Sequence, residues 1–261
     1  MIWLQEAPIG THPTISLCNS PFCALDVDSL ISSGLAILIT LAIGFAVAYR
    51  LSHGVPGKLQ LVLEFLLSYI RQQVEVTLGP TARFVIPLAA TIAFYILVAN
   101  WIEFFPLGIS QYLIPANSDV NQTVAMALVV FIMTNWYSVG VLGITGYLRR
   151  YTKPFDAPLV IRVPFVLINI VEEIAKPLSL ALRLFGNIFA GVVMIFIIIQ
   201  RAPVFIAWIP LVVWKFFDVF IIGTIQAFIF MLLTIIYFGQ AREGLEEEGH
   251  AEHRSEQPAA A

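Results

Sequence analysis

Glu172-Glu173-Ile174-Ala175-Lys176-Pro177-Leu178-Ser179-Leu180-Ala181-Leu182-Arg183-Leu184-Phe185-Gly186-Asn187-Ile188-Phe189-Ala190-Gly191 is the stretch that decides how this chain folds. It lies inside a mostly apolar run from Leu159 to Gln200. An arginine in hydrocarbon costs about 2.5 to 3.5 kcal/mol on insertion scales, and more in simulations. Chains keep such a residue where it meets water, a partner charge or an ion path. Glu172, Lys176, Ser179, Arg183 and Asn187 follow one another at steps of four, three, four and four, which puts them on one helical face. About forty residues at about 1.5 Å each make a helix of about 60 Å, whereas the hydrocarbon core is about 30 Å thick. One long element, tilted or bent at Pro177, therefore places Arg183 near mid-membrane. The competing reading is an Arg183 that snorkels or pairs structurally with a neighbouring helix.

Composition sets the class. Of 261 residues, 59% are hydrophobic and only 12% charged, and the mean hydropathy is +0.88. These values point to a polytopic membrane protein with a single membrane domain. No internal repeat is evident, which argues against an inverted-repeat secondary transporter. The formal charge of −3 says little, because much of the acidity follows Gln240. Cys18 and Cys23 precede the first span; a disulfide between them and two free thiols are both compatible with the spacing. No metal-ligand set or cofactor motif stands out, and nothing suggests nucleic-acid binding.

Residues 1–28 carry no Lys or Arg and lack the basic start of a signal peptide. They read as an outer-side N-terminal segment. Ser29 to Tyr49 is a first span, followed by Arg50, His53 and Lys58. The excess of Lys and Arg assigns that side to the cytoplasm and the N-terminus to the outside. Lys58 to Gly79 has Gln60, Glu64, Ser68, Arg71 and Glu75 at helical spacing, with Leu59, Leu63, Leu66, Leu67 and Ile70 opposite. It reads as an amphipathic helix on the cytoplasmic surface. Phe84 to Phe105 is the second span and ends in the cluster Asn100-Trp101-Ile102-Glu103-Phe104-Phe105-Pro106. The loop to Asn121 contains Asp119 and no Lys or Arg, so it belongs outside. Asn121 to Leu148 is the third span, and Arg149, Arg150, Lys153 and Arg162 mark a second cytoplasmic loop. The organising run then crosses outward, and Pro203 to Gln240 returns as another element longer than a simple span, carrying Lys215, Asp218, Gln226 and Thr234. From Ala241 onward the acidic tail reads as solvated and disordered in the cytoplasm. The expected fold is an all-α polytopic membrane protein. It has five membrane-crossing helical elements over residues 29–240 and one amphipathic surface helix, with the last two elements long and strongly tilted.

Ionisable residues inside a membrane are candidate functional groups. Here they come from the last two elements: Glu172, Lys176, Arg183 and Asn187 on one, Lys215, Asp218 and Gln226 on the other. Packed as an antiparallel hairpin, these elements set carboxylates and amides on both sides of the arginine. Glu172 lies eleven residues before Arg183, about 16 Å toward the cytoplasmic end, too far for a direct ion pair. Two aqueous approaches separated by a fixed cation result. Guanidinium does not deprotonate in proteins, so no continuous proton wire passes it. It also favours the ionised form of an acid brought near it. Such an arrangement moves protons through a mobile partner.

The run from Lys176 to Gly191 closely resembles the signature of subunit a of rotary F-type ATP synthases. A second match is Gly223-Thr224-Ile225-Gln226-Ala227-Phe228-Ile229-Phe230-Met231-Leu232-Leu233-Thr234; a third, weaker one is Asn100 to Pro106 with Ser118-Asp119-Val120-Asn121-Gln122-Thr123. The resemblance implies a proton-translocating stator subunit that forms no covalent bonds itself. It implies that Arg183 faces the carboxylates of a rotating c-ring. Asn187 and Gln226 flank it and line an outer half-channel, with Asn100 and Glu103 near its mouth, and Glu172 belongs to the cytoplasmic half-channel. The implied partners are the c-ring, the peripheral stalk b subunits, the lipid bilayer and, through them, the catalytic F1 head. The implied location is a bacterial plasma membrane rather than a mitochondrial or thylakoid one, with the C-terminus in the cytoplasm.

Two positions depart from the family pattern. Val192 stands where many members carry Glu after Ala-Gly, and Val219 stands where a polar residue precedes the glutamine by seven. Asp218, one residue earlier, takes over the relay role if a π-bulge absorbs an extra residue. Bland readings compete: Glu172 with Lys176 as a simple helix pair, Asp218 as a neutraliser of Lys215, Glu103 as a solvated interfacial residue and Gln226 as a helix–helix hydrogen bond. A self-contained ion carrier or channel is the alternative function; it would enclose a polar cavity within its own bundle. A structural membrane anchor would have no use for the Arg183 stripe.

Overall fold

A computed structural model describes residues 14–16, 24–49, 57–79, 82–104, 119–152, 159–203 and 205–256. Cys18, Cys23 and the loop from Pro106 to Ser118 lie outside the described residues. A short antiparallel ribbon, β1 (Thr14–Ser16) with β2 (Ala24–Asp26), precedes the helices, with Ile15 opposite Leu25. The helices are α1 (Val27–Tyr49), α2 (Lys58–Leu78), α3 (Val85–Ile102), α4 (Val120–Thr152), α5 (Leu159–Arg201), α6 (Trp208–Phe216) and α7 (Gly223–Glu256). A π-helical turn, Phe217–Ile222, joins α6 to α7. Five of these stretches are long and apolar enough to cross a membrane: Ser29–Tyr49, Val85–Ile102, Val120–Leu148, Val166–Arg201 and Trp208–Ala241. The all-α polytopic fold is thus as the hydropathy pattern predicts.

Two large apolar clusters hold the bundle, and a small third, Ala36 with Ala99, ties α1 to α3. Helix α2 docks by its greasy face: Ile70, Val74 and Leu78 pack with Val85, Ala89 and Ala93 of α3 and with Met231, Ile235 and Phe238 of α7. Of its polar residues, Glu64, Ser68, Arg71 and Glu75 stay outside, with Arg71 pairing with Glu75 at 2.8 Å, whereas Gln60 is buried and apolar Leu61, Phe65 and Leu67 are exposed beside them. Gly79 ends α2 with φ of +72°, a conformation that suits a residue without Cβ, and its N–H caps Glu75 at 3.0 Å. The second cluster joins Ile96 of α3, Ala127 and Val130 of α4, Leu180, Ala181 and Leu184 of α5, and Ala227 and Phe230 of α7. Small residues at 127, 181 and 227 let these helices approach closely.

Helix α5 has 43 residues, and Pro164 and Pro177 lie within it without ending it. Its partner differs from the expected hairpin. It packs chiefly along α4 and touches the final element through α6 and the second cluster, while α7 lies mainly against α3 and α4. Shape complementarity between helix faces selects the partner, and a polar stripe does not encode that. Helix α4 changes direction at Gly143, where φ is +69°. Helix α7 continues to Glu256, beyond Ala241 where composition suggests a disordered tail; the stretch is rich in Ala, Arg and Glu, good helix formers.

Candidate functional site

Helical periodicity turns Leu180, Ala181, Leu184 and Ile188 into the bundle, and it turns Arg183 away from it. Leu182 and Phe189, on the same stretch of α5, are 55% and 58% exposed, so Arg183, itself exposed, lies on a largely apolar face, with its charge within electrostatic reach of Tyr237 of α7. No ion pair or hydrogen bond reaches Arg183 from the described residues. Glu172 and Ser179 share this face, also exposed, and Lys176 and Asn187 are half-buried at its border. The polar stripe seen in the sequence is therefore an outward-facing stripe.

A second group gathers where α3 ends. Asp218 lies in the π turn and is 6% exposed. Its carboxylate rests on the backbone of α5: a Cβ at Gly191 would fall 2.4 Å from Asp218 Oδ2 and 3.1 Å from Cγ. Glycine is needed there because a side chain would occupy the space of the carboxylate. The π turn adds one residue to the helix, so Asp218 and Gln226, eight apart, are disposed as residues two ordinary turns apart. Val219 is buried as well but offers no polar atom.

Glu103 is not a solvated interfacial residue. It is 8% exposed and accepts a hydrogen bond from Lys215 Nζ at 2.5 Å, which ties the end of α3 to α6. Lys215 is thus neutralised by Glu103, and both charges act on Asp218 nearby. Asn100, 4% exposed, donates from Nδ2 to the Gly223 carbonyl at 3.1 Å. A Cβ at Gly223 would meet Asn100 Cβ at 3.0 Å, so this contact also depends on a glycine. Trp101 Nε1 donates to Thr224 Oγ1 at 3.3 Å, the next residue along. Gln226 is 6% exposed, and its Nε2 has no hydrogen-bond partner among the described residues.

Asn100, Glu103 and Asp218 therefore come together at one end. Gln226, in the first turn of α7, follows Asp218 by two turns, and Asn187 lies one turn past Arg183 on α5. Glu172 stays apart, on the other side of Arg183. Its carboxylate lies 3.6 Å from Lys176, whereas the adjacent Glu173 lies 3.2 Å from the same ammonium and is much the more buried. Lys215, counted among the intramembrane charges but given no role by its spacing, acts as the partner of Glu103, and Gly191, Gly223 and Glu173 carry contacts that no spacing reveals. The Ala-Gly pair at 190 and 191 was the available signal for Gly191.

Gly191→Ala is expected to displace the Asp218 carboxylate, at a cost of about 1–3 kcal/mol for overpacking. Pairing it with Asp218→Asn, a side chain of the same size, should give no relief, whereas Asp218→Ala should restore the assembled protein in detergent thermal melts. An unchanged melting temperature for Gly191→Ala alone would contradict the contact.

The ATP synthase A chain family matches residues 30–239 of this chain. Among the relatives, ATP synthase subunit a of Mycobacterium ulcerans is 42% identical over 259 residues, covering 95% of this chain and 98% of the relative. ATP synthase subunit a of Acidothermus cellulolyticus is 39% identical over 237 residues, covering 90% and 83%. ATP synthase subunit a 1 of Vibrio campbellii is 38% identical over 238 residues, covering 86% and 87%. With a whole-domain match and such identity across nearly full-length bacterial relatives, this chain belongs to the ATP synthase subunit a family.

Proposed function

We propose that the chain is the proton-translocating stator of a bacterial ATP synthase, itself non-catalytic, and that Arg183 faces the carboxylates of a c-ring. The observation that carries this is the exposed arginine on a bare apolar face. Against lipid that charge would be strongly unfavourable. A partner that covers the face and presents a carboxylate supplies both the apolar contact and the counter-charge. A self-contained carrier fits less well, because its ion path runs inside its own helices whereas Arg183 lies outside them.

In this reading Asn100, Glu103, Asp218 and Gln226 line the outer half-path, with Asn187 where it meets the ring. Buried polar groups there bind water and pass protons to a ring carboxylate, which becomes neutral and can travel through lipid. After nearly one turn the ring carboxylate meets the inner half-path, where Glu172 stands, and releases its proton. Arg183 holds the arriving carboxylate ionised by its positive charge and blocks proton exchange between the two paths. The length of α5, 43 residues or about 64 Å, favours a strong tilt along the ring. The Lys and Arg distribution favours an N-terminus outside and a C-terminus in the cytoplasm. The peripheral stalk b subunits anchor the chain to the catalytic head, and no cofactor takes part.

Cross-linking tests the covered face. With Cys18 and Cys23 replaced by serine, Leu182→Cys and Phe189→Cys are expected to cross-link to cysteines in the ring helix. Ala181→Cys, which is buried among α3, α4 and α7, is expected not to. Cross-links from Ala181→Cys alone would show that another face meets the ring.

A further inference from the structure

Helices α4, α5 and α7 enclose a small pocket on the side of Arg183 away from Asp218. Thr134, Asn135 and Ser138 of α4, Glu173 and Lys176 of α5, and Tyr237 of α7 supply its polar wall. Ser138 is 1% exposed, and its Oγ has no hydrogen-bond partner among the described residues. A buried hydroxyl in that state is unfavourable unless water or an ion satisfies it. The other polar groups are occupied. Thr134 Oγ1 donates to the Val130 carbonyl at 2.8 Å, Asn135 bonds the Phe131 carbonyl and Tyr147, and Tyr237 donates to the Lys176 carbonyl at 3.4 Å. The space is just sufficient for about one water molecule.

We propose that this pocket is a hydrated proton-holding site in which Glu173 exchanges a proton with a water bound to Ser138, forming the inner end of the proton path. The proposal rests on the stator reading above and adds to it a carboxylate and its water. In the forward direction a proton arriving from the exposed α5 face is taken up by the Glu173 carboxylate. It is then given to the pocket water, which releases a proton to bulk water on the cytoplasmic side and is left neutral, while Glu173 returns to its carboxylate form, so charge and atoms balance. Lys176 is the counter-charge of the ionised carboxylate. Its ammonium lies 3.2 Å from Glu173 and 3.6 Å from Glu172, so one cation serves both the pocket and the bare face. Glu173 precedes Arg183 by ten residues, about 15 Å, while Gly191, on which Asp218 rests, follows it by eight, about 12 Å. The arginine thus separates a half-buried carboxylate, Glu173, from a buried one, Asp218, at opposite ends.

The plain competitor is a structural Glu173–Lys176 pair. ATP-driven acidification of inverted vesicles, with the whole complex assembled and checked by copurification of the ring, separates the two. Glu173→Gln is expected to slow pumping by about tenfold or more, the range for loss of a positioned acid–base group. Glu173→Asp should recover part of the rate, and Ser138→Ala should slow it to a lesser degree. The double variant Glu173→Gln with Lys176→Met removes both charges and should remain slow. Pumping by Glu173→Gln at the unmodified rate, or full recovery in the double variant, would overturn the proposal in favour of a structural pair. If Glu173→Gln fails to assemble, Glu173→Asp and Ser138→Ala decide: slowed pumping in both supports the site, and unmodified rates in both overturn it. Arg183→Ala, run alongside, keeps the two levels apart. A silent Arg183→Ala beside a fully active Glu173→Gln sinks this site alone, whereas an active Arg183→Ala sinks the stator reading.

Discussion

Lys215→Met should sharply reduce the amount of assembled complex recovered from membranes. Glu103 is 8% exposed and its carboxylate is held by Lys215 at 2.5 Å, with side-chain exposures of 7% and 21% for the pair. Removing one partner of such a pair leaves an uncompensated buried charge, typically at a cost of about 3–5 kcal/mol. The same pair ties the end of α3 to α6, so its loss also frees the segment that leads into the π turn and Asp218. Glu103→Gln should be damaging in the same way, because it leaves the ammonium alone. The double variant Glu103→Gln with Lys215→Met removes both charges and should recover assembly. If Glu103 is also part of the outer half-path, the double variant will assemble and still pump poorly, which separates a structural charge from a working one. Normal assembly in both single variants would contradict the buried pair.

Much of the architecture was legible in the sequence because hydrocarbon imposes simple demands. Spans need about twenty apolar residues, and the five long apolar stretches declare themselves. The amphipathic period of Lys58 to Leu78 identified α2, and its apolar side does face the bundle through Ile70, Val74 and Leu78. The vacancy at Val219, with Asp218 one residue early, hinted at an extra residue in the helix, and a π turn over Phe217–Ile222 supplies it. What stayed hidden depends on which helix lies beside which. The stripe of Glu172, Lys176, Ser179, Arg183 and Asn187 marks one face, but spacing alone does not say whether it looks into the bundle or out of it. The exposed Arg183 answers that only in three dimensions. For the same reason Glu173, one residue off the stripe and 100° around the helix, escaped notice although it lines the pocket. Lys215 has an acid three residues away in Asp218, yet it reaches across to Glu103, more than a hundred residues earlier in the chain.

Arg183→Ala should abolish coupled proton pumping while leaving the complex intact. The side chain is exposed and makes no ion pair or hydrogen bond with the described residues, so its removal leaves no internal partner unsatisfied. Its neighbours Leu180, Ala181 and Leu184 keep the helix packed. A large functional loss without a folding defect is the signature of a charge that acts on something outside the chain. Arg183→Lys keeps one charge but replaces a group that stays protonated with one whose pKa shifts readily on burial, so it should not restore full coupling. The decisive measurement is ATP-driven acidification of inverted vesicles with the unmodified chain and with Arg183→Ala, at matched levels of copurified ring. Loss of acidification in the assembled Arg183→Ala complex is the result predicted here. Undiminished acidification would mean that the exposed arginine has no part in proton transfer, and would contradict the stator mechanism at its centre.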